Sequence, residues 1–373
     1  MDHRERFSAV FNYQPVDRLP VYFFGTWPET RERWIAEGLE GACQRGGSSG
    51  PQLAEMDPEW ESSIWDNQGL ASPFPLSGRD NVVLEETADH RVIRTSLGGL
   101  IKVGKLGSTP PQHLEPDLRP TREDWERFKT YLDPDDPRRR PADWQRRAYR
   151  LNRREGVTCF LAGSLFGHVR DWLGVEALCY LAHDDPVLFE EIVEYVAEFH
   201  LRLTAPLLER VSFDFGYVFE DCCFNTGPLL SPAMYRRFYD RHYRRMIAEY
   251  RRRGVPLLLI DSDGKVDDLL PLWLDTGFDI IFPIEVGTWK ASPVALRRRH
   301  GKRLRMMGGV DKLVIPRGEA AVRAHLEALR PAVDEGGYLP IPDHRIPPDC
   351  SLEAFRTYLR VFKETFAPDS VAP

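Results

Sequence analysis

From residue 157 onward, short apolar runs alternate with longer segments whose apolar positions repeat every three to four residues. The runs occupy residues 157–162, 213–219, 255–260, 278–283, 304–307 and 338–341. The segments between and after them cover 186–210, 231–253, 265–276, 292–300, 319–335 and 352–366. A short continuous apolar run marks a strand buried on both faces, and a period near 3.6 marks an amphipathic helix. Strands alternating with helices predict parallel βαβ units. Upstream, Phe7, Val10 and Phe11 give residues 2–11 the pattern of a short amphipathic helix, and 19–24 read as a further buried strand. Residues 28–61 look helical, interrupted by a Gly/Ser loop at 46–50. Residues 90–105 alternate β-branched and polar side chains around Gly98-Gly99, which predicts a hairpin. Thr121, followed by Glu123 and Asp124, is a predicted helix N-cap.

The six downstream strands, the strand at 19–24 and one from the hairpin region make eight, the number that closes a (β/α)8 barrel. The expected fold is therefore α/β, a TIM barrel spanning 1–373 as one domain, with 31–108 as an N-terminal insertion partly covering the pocket. No GxGxxG follows a first strand, which argues against an open doubly wound sheet.

Composition narrows the class. The chain has 373 residues, 42% hydrophobic and 29% charged, enough apolar material for a large core and too much for a disordered chain. No apolar run approaches the about 20 residues of a membrane-spanning helix. The charged start, Met1-Asp2-His3-Arg4-Glu5-Arg6, lacks the apolar core of a secretion signal. A net charge of −7 gives no global basic field for nucleic acid. The six cysteines (Cys43, Cys159, Cys179, Cys222, Cys223, Cys350) form no CxxC and no disulfide framework. A reduced, cytoplasmic protein is expected. Its expected partners are a small-molecule substrate and, by base rate, a second copy forming a homodimer.

In such a barrel, chemistry sits at the C-terminal ends of the strands. The runs end in Gly163-Ser164-Leu165-Phe166-Gly167-His168, in Glu220-Asp221-Cys222-Cys223, in Asp261-Ser262-Asp263-Gly264, in Glu285, in Asp311 and in Asp343-His344-Arg345. Several carboxylates in one low-dielectric mouth repel one another and need a cation, a proton or a cationic substrate to coexist. A divalent metal held by Asp261, Asp263 and His344 would meet that need. Carboxylate oxygens and one imidazole suit zinc, manganese or iron(II). Glu220 and Asp261 are the candidate catalytic groups, Glu220 as a fourth ligand or general base. His168, Arg170, Glu285 and Arg345 are the candidate substrate contacts. Blander readings stand beside these. Asp311 suits a helix N-cap, Asp263-Gly264 a turn, Cys222-Cys223 packing, His168 a surface loop and His344 a structural hydrogen bond.

Several stretches together resemble the uroporphyrinogen decarboxylase superfamily over nearly the whole chain. They are Arg4-Glu5-Arg6-Phe7, Pro15-Val16-Asp17-Arg18-Leu19-Pro20-Val21, Thr226-Gly227-Pro228-Leu229-Leu230-Ser231-Pro232, Asp263-Gly264, Gly308-Gly309-Val310-Asp311-Lys312 and Asp343-His344-Arg345-Ile346-Pro347-Pro348. The resemblance implies a (β/α)8 barrel with one deep pocket at its C-terminal mouth. It also implies one of two chemistries: tetrapyrrole decarboxylation, or the zinc-dependent demethylation of methyl-corrinoids that makes methyl-thiols. The decarboxylase carries an arginine-rich segment with a Gln-Ala-Gly-Arg core after its first strand. Here Gly25-Thr26-Trp27-Pro28-Glu29-Thr30 follows, with no arginine before Arg31. The methyltransferases carry His-x-Cys-Gly after the fifth strand and a cysteine before a late Ile-Pro-Pro. Here Asp261-Ser262-Asp263-Gly264 and His344-Arg345-Ile346-Pro347-Pro348 stand there. Hard oxygens and an imidazole replace soft thiolates, and each can still bind a metal.

Three functions follow. The first is metal-assisted methyl transfer or O-demethylation, with a thiol acceptor or a corrinoid carried on a partner protein. The second is decarboxylation of a tetrapyrrole-like or smaller aromatic acid without a cofactor, Arg170 and Arg345 holding the carboxylate. The third is a non-catalytic binding protein on the same barrel.

Overall fold

The computed structural model describes residues 1–40, 53–58, 64–105 and 111–366. Cys43 and the loop expected at 46–50 lie outside them. The chain opens with the helix His3–Phe11. The Asp2 carboxylate accepts from the Glu5 amide at 2.7 Å, and Glu5 accepts from the Asp2 amide at 3.0 Å. This reciprocal cap satisfies two of the amides a helix start leaves unpaired. Phe7 on this helix stacks on Phe215 at 5.3 Å, so the helix covers the N-terminal end of the central sheet.

The hairpin region forms a sheet of its own. Strands β1 (Val82–Glu86), β2 (His90–Arg94), β3 (Leu100–Gly104) and β4 (Gln112–Glu115) pair antiparallel in chain order. The expectation that this region supplies a barrel strand is therefore corrected. The physical reason is in its pattern: alternating polar residues and charge pairs such as Arg91–Glu86 suit a sheet wet on its faces, not a strand buried on both.

All six downstream runs are strands, and they pair parallel in one sheet in chain order. They are β5 (Cys159–Gly163), β6 (Phe215–Phe219), β9 (Leu258–Asp261), β10 (Ile280–Ile284), β11 (Arg305–Val310) and β12 (Tyr338–Pro342). The short strands β7 (Cys223–Phe224) and β8 (Gly227–Pro228) form a small hairpin after β6. The connecting helices sit where the periodicity puts them, Pro186–Leu208, Pro293–His300, Glu319–Asp334 and Leu352–Thr365 among them. The expected helix at 231–253 is broken at Tyr239 into Pro232–Phe238 and Asp240–Arg252.

Hydrogen bonding among the described residues thus gives six parallel strands, not eight. N-terminal segments cover both edges. At the β12 edge, Gly25–Trp27 bonds to Ile346, through Ile346 N to Gly25 O at 2.9 Å and Trp27 N to Ile346 O at 3.3 Å. Residues 19–24 are buried and extended ahead of that single bridge, without regular strand pairing. At the β5 edge, side chains stand in for a strand: Asn67 accepts from the Leu161 amide and Gln68 donates to the Cys159 carbonyl. These contacts protect the two edges of the parallel sheet.

Candidate functional site

The acids at the strand ends are mostly occupied by backbone amides. Glu220, after β6 and 3% exposed, accepts from the amides of Leu165, Phe166 and Gly167 at 3.1, 2.7 and 2.9 Å. Glu285, after β10, accepts from Gly264 N at 2.6 Å and from the Thr288 hydroxyl at 2.8 Å. Asp343, after β12 and fully buried, accepts from the amides of Val286, Gly287 and Lys312. In each case a carboxylate reaches back to the loop that follows an earlier strand of the sheet. Asp311 accepts from Leu313 N at 2.9 Å, which is the turn-capping role.

Amide N–H groups offset part of the repulsion among these acids, and at Asp343 the Lys312 ammonium adds a cation 3.4 Å away. Burial still pushes the Glu220 carboxyl up to about 7, against the pull of its three amides. It raises Glu285 as well, with help from the neighbouring Asp263 charge.

Two acids remain for chemistry, each paired with a proton-bearing ring. Asp261 ends β9, and its carboxylate takes a short hydrogen bond from the Tyr217 hydroxyl of β6. Asp263 Oδ2 lies 3.3 Å from His344 Nε2. Its other oxygen is buried with no partner among the described residues. The turn at Gly264 makes this pair. Gly264 has φ +85°, and a Cβ there would lie 2.5 Å from the Cys223 carbonyl oxygen, so only glycine lets the chain turn so close to β7.

A chain of aromatic contacts joins the pairs. It runs from His168 through Phe74, Trp65, Tyr217, Phe282 and Phe24 to His344 and Trp27, with ring centroids 4.9–6.5 Å apart. Arg345 sits over the Phe24 and Trp27 rings at 6.0 and 5.9 Å. Arg170 is held elsewhere, by Asp171 and by Asp221, a non-glycine residue at φ 42°. His168 is buried, not a surface residue, and stacks on His200 at 5.7 Å. Burial, aided by Arg170, lowers its pKa to about 3, so the ring is neutral.

The expected metal ligands are thus only partly together. Asp263 and His344 meet, whereas the Asp261 carboxylate is engaged by Tyr217. Among the described residues, no three His, Cys, Asp or Glu side chains are grouped to hold a metal ion. The donors as arranged do not fit a three-ligand zinc or other divalent site. Sequence reasoning also missed Tyr217 and the aromatic chain. The available signal was a tyrosine inside an apolar run, because a buried phenol needs a partner. Trp65 and Phe74 carried no comparable signal, since their loop position depends on the tertiary fold.

Comparison with known proteins bears on this geometry. A family model described as uroporphyrinogen decarboxylase (URO-D) matches residues 110–365. No curated protein matches the sequence. Among solved structures, a methyltransferase from Methanosarcina mazei is similar, with a TM-score of 0.59 at 14% identity, covering 98% of this chain and 99% of that one. A B12-independent methionine synthase from Shewanella sp. W3-18-1, in complex with selenomethionine, scores 0.41 at 12% identity over 77% of this chain and 74% of its own. At such identities the methyltransferase likeness concerns the fold alone.

Proposed function

Because the chain belongs to the uroporphyrinogen decarboxylase family, we propose that it is an enzyme acting on a small molecule at this mouth, and that it moves a methyl group. The observation that carries the reading is the Asp263–His344 pair, 3.3 Å apart and flanked by Phe24 and Trp27. An imidazole oriented by a carboxylate is a competent general acid and base. A methoxylated ring would pack against the half-buried Trp27 ring beside it. In O-demethylation the ether C–O bond breaks and an S–C bond forms on a thiol acceptor. The His344 imidazole takes the thiol proton, and the imidazolium so formed gives a proton to the leaving oxygen. Asp263 balances the imidazolium between those steps. The Asp261–Tyr217 pair holds the neighbouring wall and keeps a second proton close to the mouth. A corrinoid on a partner protein would be a methyl carrier brought to the site, and no residue of this chain is assigned to it. The methyltransferase from Methanosarcina mazei shares the fold over nearly the full length, and product analysis tests the choice of methyl transfer for this chain.

The test is incubation with methoxybenzenes and a small thiol, followed by mass spectrometry. Phenol and methyl thioether are expected in equal amounts and should be lost in His344→Asn. One observation favours a second reading, decarboxylation: Arg345 is a cation at the mouth. Carbon dioxide release from aromatic acids, with no methyl movement, would select it.

A further inference from the structure

Arg345 and His344 are adjacent in the chain and flanked by the same two rings. The His344 centroid lies 5.1 Å from Phe24 and 5.8 Å from Trp27. The Arg345 guanidinium lies 6.0 and 5.9 Å from the same rings. Arg170, on the helix that follows β5, and Lys312, on the loop after β11, are already ion-paired, with Asp171 and Asp221 and with Asp343 respectively. Arg345 makes no ion pair among the described residues, and its one hydrogen bond is a long one, 3.4 Å to the Thr26 carbonyl. A guanidinium fixed over two rings and lacking a carboxylate is preorganised for a planar anion, which it can bind through two parallel N–H donors.

We infer that the substrate is a small planar carboxylate, held by Arg345 through its carboxylate while its reacting end faces the Asp263–His344 pair. The inference rests on the functional reading only for which end reacts. Trp27, the more exposed of the two flanking rings, supplies a flat apolar wall, and Arg345 sets the polarity at one end. A neutral analogue of the same shape leaves the guanidinium without its partner, which is how a polar site rejects a near-isostere. Arg345 is thereby a specificity-determining residue and not a proton donor.

The test measures binding of 4-methoxybenzoate and of the neutral 4-methoxybenzamide to the full chain by isothermal titration calorimetry. The carboxylate should bind at least tenfold more tightly than the amide. Arg345→Gln should abolish that preference, Arg345→Lys should restore part of it, and His344→Asn should leave it intact. Equal affinity for the two probes, no binding of the carboxylate, or a preference unchanged in Arg345→Gln would overturn the inference. Binding is read without turnover. A preference that vanishes with Arg345 while thioether formation is indifferent to His344→Asn would therefore sink the functional reading and leave this one standing.

Discussion

Burial penalises the charged form of a carboxylate, and at this mouth the backbone amides offset only part of that cost. Glu220 illustrates the consequence for pH. Its carboxyl is pushed up to about 7 in the folded chain by burial, above the roughly 4.3 of an exposed glutamate. Folding thus favours the protonated form. That contribution is fully present below the unfolded value and is lost as the pH rises through about 7. It amounts to something on the order of 3 kcal/mol. Glu220→Gln keeps an acceptor and cannot ionise. Its urea midpoint should vary less than that of the parent between pH 5 and 8, and an identical slope would contradict the assignment. Asp263→Asn is expected to behave differently. The pair is partly exposed, with side chains 37% and 20% accessible, so stability should move by less than about 1 kcal/mol. The rate of methyl transfer should fall by about 10²- to 10⁴-fold, the usual scale for a lost general acid–base group. Of these residues, the sequence made the acids and the histidine legible, because strand ends can be read from apolar runs. Their partners were not legible, since an amide donor carries no mark in the side-chain alphabet.

At the scale of elements, the parallel half of the fold was legible almost strand by strand, because each apolar run is long enough to bury and too short for a helix. The N-terminal half was not. Segment 19–24 is as apolar as a strand, yet its partner, the chain around Ile346, is more than 300 residues away, and only one bridge forms. The contact between β10 and β11 gives a sharper test. Gly308 has φ +107°, and a Cβ there would lie 2.5 Å from the Ile284 amide nitrogen. Gly308→Ala therefore meets backbone that cannot move without breaking the β10–β11 ladder. The expected cost is at the upper end of the about 1–3 kcal/mol seen for overpacking, or above it, read as a shift in the urea midpoint. Gly301→Ala, at φ +61° with open space around it, should cost less. Equal effects would remove the steric argument.

At the scale of the whole molecule, the parallel sheet and its helices hold the core, while the β1–β4 sheet stands apart. Of residues 79–105 and 111–117, only Gly99 is buried. The return chain is tied down at Leu118, whose amide donates to the Trp172 carbonyl on the helix that follows β5. We propose that this part of the insertion borders the mouth and adds little to stability. Replacing residues 79–116 by a short Gly/Ser linker should leave a cooperative thermal transition within a few degrees of the parent, whereas loss of cooperative unfolding would show that the sheet belongs to the core. No helix among the described residues is long and apolar enough to cross a membrane. We propose that amides and ring partners occupy most of the mouth's acids and leave Asp263 and His344 as a proton-handling pair. Calorimetric titration of zinc into the chain, beside His344→Ala, separates this arrangement from a metal site. No one-to-one zinc complex of micromolar or tighter affinity is expected in either protein. A stoichiometric complex that His344→Ala abolishes would overturn the assignment.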